Sequence, residues 1–181
     1  MKKLICAILA LTLVLSMTAC GGSKQEETTA ATVPASVEGT MEELLNKVIE
    51  QRPVEFMGGV FPIDLTDTSE EGLWAVKSYT GLEDASQITE AAAYEPMIGS
   101  IAFSMVMVRT AEGVDAKAVA ESMKSGVDPR KWICVEADDL LVAGCGDVVM
   151  LIMVASTSDM TAQSFVDAFQ SVAGRDCDFV I

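Results

Sequence analysis

The run VVMLIMV at 148–154 constrains the fold more than any other part of the chain. Side chains alternate between the two faces of a strand, so a run with no polar position must be covered on both. A short apolar run bounded by turn residues reads as a buried strand. This one follows Gly144-Cys145-Gly146-Asp147. It is expected to be central in its sheet.

The rest of the sheet is read around it. At 101–109, Ile101, Phe103, Met105 and Met107 share one face, and Ala102, Ser104, Val106 and Val108 share the other. Further strands are expected near 89–95, at 131–136 and at 140–143, with Ala137-Asp138-Asp139 as a turn. Thr40-Met41-Glu42-Glu43 is a capping box, and Met41, Leu44, Leu45, Val48 and Ile49 follow at helical spacing. This predicts a helix over 41–52, stopped before Pro53. Residues 53–68 read as loop or short extended pieces, broken by Gly58-Gly59 and Pro62. Other helices are predicted over 69–80 to Gly81, from Asp115 to 124, and over 160–173 to Gly174. The fold class is therefore α+β: an antiparallel sheet of about five strands with helices packed on a face.

The first residues read as targeting rather than fold. Met1-Lys2-Lys3 is a positive start, and 4–15 is apolar apart from Thr12. That is shorter than the roughly 20 residues a membrane span needs, and it fits a signal peptide. Met17-Thr18-Ala19-Cys20-Gly21 resembles the bacterial lipobox. The resemblance implies that Cys20 receives diacylglycerol and becomes the mature N-terminus. Residues 1–19 are then the signal peptide and Cys20 the lipidation site. The small, polar stretch GGSKQEETTAATVPASVEG makes 20–39 a disordered tether of roughly 25 Å span. Residues 40–181 form one domain.

Loss of residues 1–19 removes Lys2 and Lys3 and no acid, leaving 10 basic and 27 acidic residues, a net charge of −17. Such a surface repels nucleic acid and anionic headgroups, so the expected membrane contact is the lipid on Cys20 alone. After processing, the free cysteines are Cys134, Cys145 and Cys177, enough for one disulfide and a spare thiol. Which two would pair is open. Cys134 sits in an apolar run and is expected to be a small core residue.

Several segments together resemble a family of small lipoproteins of Gram-positive anaerobes, known only as a domain of unknown function. They are Tyr79-Thr80-Gly81, IAFSMVMVR at 101–109, Asp128-Pro129-Arg130 and the Gly146-Asp147 turn before VVMLIMVAS. The resemblance covers 73–173. It implies no activity and carries over no catalytic or binding residue.

The chain has no histidine, which removes Ser-His and Cys-His nucleophile activation and most zinc sites. The acids Asp64, Asp67, Glu70, Glu71, Glu83, Asp84, Asp138, Asp139, Asp176 and Asp178 fall in loops and turns, without the order of a calcium loop. Met105 and Met107 share a strand face, as a Cu(I) site would need, but Met150 and Met153 do not; core packing explains all four. Cys145, between two glycines, has Asp147 nearby rather than the positive charge that activates a thiol. Arg109, Arg130 and Trp132 flank strand ends and form a candidate patch for an anion or a sugar. No catalytic residue, cofactor or metal is assigned. The expected function is a membrane-anchored, outward-facing, non-catalytic binding module. Its ligand is an envelope protein or a small molecule. The alternatives are an accessory subunit of an envelope complex or an envelope enzyme that works without histidine.

Overall fold

The computed structural model describes residues 36–132, 134–156 and 160–181. The segment read as a signal peptide, Cys20 and most of the stretch read as a tether lie outside the described residues. Elements run in the order α1 (Met41–Gln51), β1 (Gly58–Pro62), α2 (Glu70–Thr80), β2 (Ile88–Pro96), β3 (Phe103–Thr110), α3 (Ala116–Gly126), β4 (Asp139–Cys145), β5 (Val148–Val154), α4 (Ala162–Ala173) and β6 (Phe179–Val180).

The strands form a six-stranded sheet ordered β1-β2-β3-β5-β4-β6, with every pairing antiparallel. β5 lies between β3 and β4, and all seven of its residues are buried, as its apolar run requires. Helices cover both faces of the sheet. α1 and α4 pack on the side of Phe103, Met105, Met107, Met150 and Ile152. α2 and α3 pack on the side of Val106, Val108, Val142, Val149 and Leu151. The protein is thus α+β in three layers, and the two-sided covering explains why β5 is apolar throughout and β3 is apolar at Phe103 and from Met105 to Val108.

Local signals set the helix ends. The Thr40 hydroxyl accepts from the Glu43 N–H at 3.2 Å, and the Glu43 carboxylate accepts from the Thr40 N–H at 3.1 Å. Ser69, Asp115 and Thr161 cap the other three helices. α2 ends at Gly81 with φ of +77°, a backbone that side chains with a Cβ rarely adopt. There α2 and α3 meet so closely that a Cβ on Gly126 would lie 1.9 Å from the Gly81 carbonyl oxygen.

One short extended piece within 53–68 is fixed by the structure, and two other segments depart from the sequence reading. Residues 58–62 form a strand despite Gly58-Gly59 and Pro62; β1 is an edge strand, where proline breaks no ladder. β6, two residues long, closes the other edge. Among the described residues of 131–136, none is in a strand. Asp128 accepts from the N–H of Arg130 through its side chain and from that of Lys131 through its carbonyl, and the Pro129 carbonyl accepts from Ala137. The segment therefore spends its backbone on a closed loop, and its alternating Trp132 and Cys134 never join the sheet. Cys134 is exposed rather than in the core.

Candidate functional site

Two polar clusters stand out, and both involve β3. At one end, Ser104 is the polar position in a stretch of strand that is otherwise apolar on both faces. The register of β2 and β3 sets Glu95 opposite Ser104 on the α2/α3 face. Lys131 reaches the pair from the 127–138 loop. Its Nζ lies 2.7 Å from Glu95 Oε1 and 2.9 Å from Ser104 Oγ, and Ser104 donates to Glu95 at 2.5 Å. Lys131 also sits over the rings of Tyr79 and Trp132, at 5.0 and 5.3 Å from their centroids. Burial, and then the Glu95 carboxylate, push the Tyr79 phenol above its usual range.

A serine beside a lysine invites comparison with serine nucleophiles activated by lysine. The contacts here run the other way. The Ser104 proton is aimed at Glu95, and Lys131 acts as a donor to both partners. Ser104 is fully buried, so no substrate carbonyl reaches its oxygen. The cluster satisfies three polar groups and pins a loop.

Shallow clefts flank it. One, of about 250 Å³, is lined by Phe61, Asp64, Asp67, Glu71 and Tyr79 among others. The other, of about 430 Å³, is lined by Arg130, Trp132, Cys134, Val135 and Glu136. The acids of the first cleft are engaged in their own turns: Asp64 accepts from Thr66, and Asp67 from the Ser69 N–H. Those hydrogen bonds hold both carboxyls below the usual range. Among the described residues, no three Cys, Asp or Glu side chains converge as metal ligands do.

At the opposite end of β3, Arg109 lies on the α1/α4 face and holds the chain before α1. Its guanidinium contacts Asp147 at 2.5 Å and Glu90 at 3.5 Å. It donates to the carbonyls of Val37 and Gly39 at 3.1 and 2.6 Å. Asp147 accepts from the Val37 N–H and the Ser36 hydroxyl, both at 2.9 Å. Glu90 accepts from the Met41 N–H at 2.8 Å. Residues 36–39, assigned by composition to the tether, are therefore seated on the domain.

The proposed trio of Arg109, Arg130 and Trp132 is not brought together. Arg109 is committed to the clamp, while Arg130 pairs with Glu136 at the rim of the second cleft beside Trp132. Met105, Met107, Met150 and Met153 are fully buried, the first three on one face and Met153 on the other. Cys145 is buried at the end of β4, with its sulfur 2.6 Å from that of Cys177. Sequence reasoning missed the Ser104 cluster. Its one visible signal was a hydroxyl amid the alternation of 101–109.

The surface carries one further feature. Met57 and Met97 flank β1 and β2 at one end of the sheet, joined by a hydrogen bond from the Met97 N–H to the Met57 carbonyl at 2.9 Å. With the neighbouring Ile98, their exposures are 74%, 74% and 58%. No protein-family model, curated protein or solved structure matches the chain.

Proposed function

We propose that this protein is a lipoprotein, held at the outer side of a membrane by a diacylglyceryl group on Cys20, whose domain binds a protein partner. The observation that carries the binding reading is the exposed apolar tip Met57, Met97 and Ile98 at the β1 edge of a strongly acidic chain. Large exposed apolar side chains standing together on a charged surface mark contact sites. The shallow clefts and the occupied Ser104 cluster favour contact over turnover. Residues 36–39, fixed by Arg109, set where the tether leaves the domain and so how the tip is presented. Tethering raises the local concentration of the domain, so a weak contact suffices.

The test is crosslinking of the intact, membrane-held protein in cells, with and without Met97→Asp and Ile98→Asp. A partner band lost in the double variant, with thermal unfolding unchanged, supports the reading. An unchanged band removes the tip from the interface. Turnover of esters or wall fragments that survives purification and disappears in Glu71→Gln would overturn the binding reading altogether. Cys20→Ala tests the anchor separately: a processed protein of unchanged size still in the membrane fraction would refute it.

A further inference from the structure

Two cysteines far apart in the chain are brought together at the β6 edge. β4 and β6 pair Gly144 with Phe179 and Ala143 with Val180. The Asp178 N–H donates to the Gly144 carbonyl at 2.7 Å, and the Asp178 carboxylate accepts from the Gly146 N–H at 2.7 Å. The Cys177 N–H donates to the Gln170 side chain at 3.0 Å. The Phe179 ring lies against Gly144, where a Cβ would come within 2.2 Å of its Cζ. Both backbones are thus fixed independently of the sulfurs, and the two Sγ atoms stand in direct contact. Joining them needs no rearrangement of the fold.

We propose that Cys145 and Cys177 form a disulfide in the exported protein, locking the two-residue strand β6 and the end of α4 to β4. The inference rests on the export reading above, because such bonds persist in oxidising compartments. The oxidant is the disulfide of a thiol oxidoreductase or of a small thiol. Cys177, partly exposed, meets it first. The Cys177 thiolate attacks, the oxidant's S–S bond breaks, and one oxidant thiol leaves. The Cys145 thiolate then attacks the Cys177 sulfur, the new S–S bond forms, and the second oxidant thiol leaves. Two protons and two electrons pass from the cysteine pair to the oxidant. In the reduced pair their shared hydrogen bond holds the Cys145 thiol below its usual range and, with burial, the Cys177 thiol above it, so access rather than acidity makes Cys177 the first to attack. Cys134, exposed in the 127–138 loop, is the spare thiol.

The full-length protein is taken from membranes, quenched in acid, denatured and labelled with a maleimide before and after reduction. The processed form is expected to take one label before reduction and three after. Cys134→Ser is expected to take none and then two. A processed protein that takes three labels without reductant, or a Cys134→Ser variant that takes two, overturns the disulfide. Failure of the export reading shows separately: an uncleaved precursor keeps Cys6 and an unmodified Cys20 and takes two extra labels throughout. In that event the purified protein is treated with oxidised glutathione. Loss of two labels without a glutathione adduct supports the pairing, and lasting adducts or unchanged labelling overturn it.

Discussion

The two ends of β3 solve a similar problem with different parts. At each, a cation, a β2 carboxylate and a hydroxyl hold a segment that has no ladder of its own. At the Ser104 end the cation comes from the loop being held: Lys131 plugs into Glu95 and Ser104, and its charge is nearly shut off from water, with side-chain exposures of 13% and 15% for the ion pair. At the Arg109 end the cation belongs to the sheet and reaches outward, gripping the carbonyls of Val37 and Gly39. The first arrangement is a rivet that holds a loop into the fold, and the second is a clip that holds the segment ahead of α1, its Arg109–Asp147 pair only slightly more exposed at 18% and 23%. The difference predicts that breaking the first costs global stability, while breaking the second frees one segment.

The largest effect is expected from Glu95→Ala. It leaves the Lys131 charge buried without its partner and Ser104 without its acceptor. Removing one member of a buried pair costs about 3 kcal/mol or more. The urea midpoint should fall accordingly, with little change in slope. Glu95→Gln, which keeps an acceptor oxygen, should lose less. A loss for Glu95→Ala under about 1 kcal/mol, the range of an exposed pair, would make the rivet another clip.

Arg109→Ala should cost about 1–2 kcal/mol, since its hydrogen bonds are charged but hold a short segment outside the sheet. Its clearer sign is local. Proteolysis within 36–40 should quicken, and the amides of Val37 and Met41 should exchange faster, while β5 keeps its protection. A global loss as large as that of Glu95→Ala, with no selective release of 36–40, would erase the distinction between the two ends.

How much of this was legible in the sequence depends on the range of each interaction. β5 and the 103–108 part of β3 declare themselves because burial on both faces leaves a local mark, a run without charges. Thr40, Gly81 and Gly174 declare helix ends through residues within one turn of them. The clusters do not, because they depend on register. Nothing near Ser104 says that Glu95 stands opposite, and nothing near Arg109 names Asp147. The cysteines show the same limit. Cys134 sits in the apolar string Trp132-Ile133-Cys134-Val135 and reads as core, yet it lies exposed on a loop closed by Asp128 and Pro129. Cys145 sits between glycines and reads as part of a turn, yet β4 runs through it and buries it against Cys177. The two-residue β6 has no periodicity to read; only its fit over Gly144 makes it a strand.

The smallest expected effect, and the sharpest test of the clip, is its response to acid. Burial opposes ionisation of Asp147, but hydrogen bonds from the Val37 N–H, Arg109 and Ser36 outweigh it and hold the carboxyl below the ordinary 3.8. A native value below the unfolded one means that the clip's contribution is complete above the ordinary aspartate range. It is then lost as pH falls through the lowered native value. Asp64, Asp67, Asp84 and Asp138 are lowered too, each through hydrogen bonds from a nearby serine or threonine, so bulk acid unfolding mixes all five. The Val37 amide signal isolates one. In NMR spectra it should titrate with a midpoint below 3.8, as its acceptor protonates and residues 36–39 loosen. Asp147→Asn keeps an acceptor for Val37 but carries no charge, and it should flatten that titration. A wild-type Val37 signal that stays constant from about pH 5 to pH 2 would show that the Asp147 charge does not hold the segment. The grip would then belong to Arg109 and the carbonyls of Val37 and Gly39.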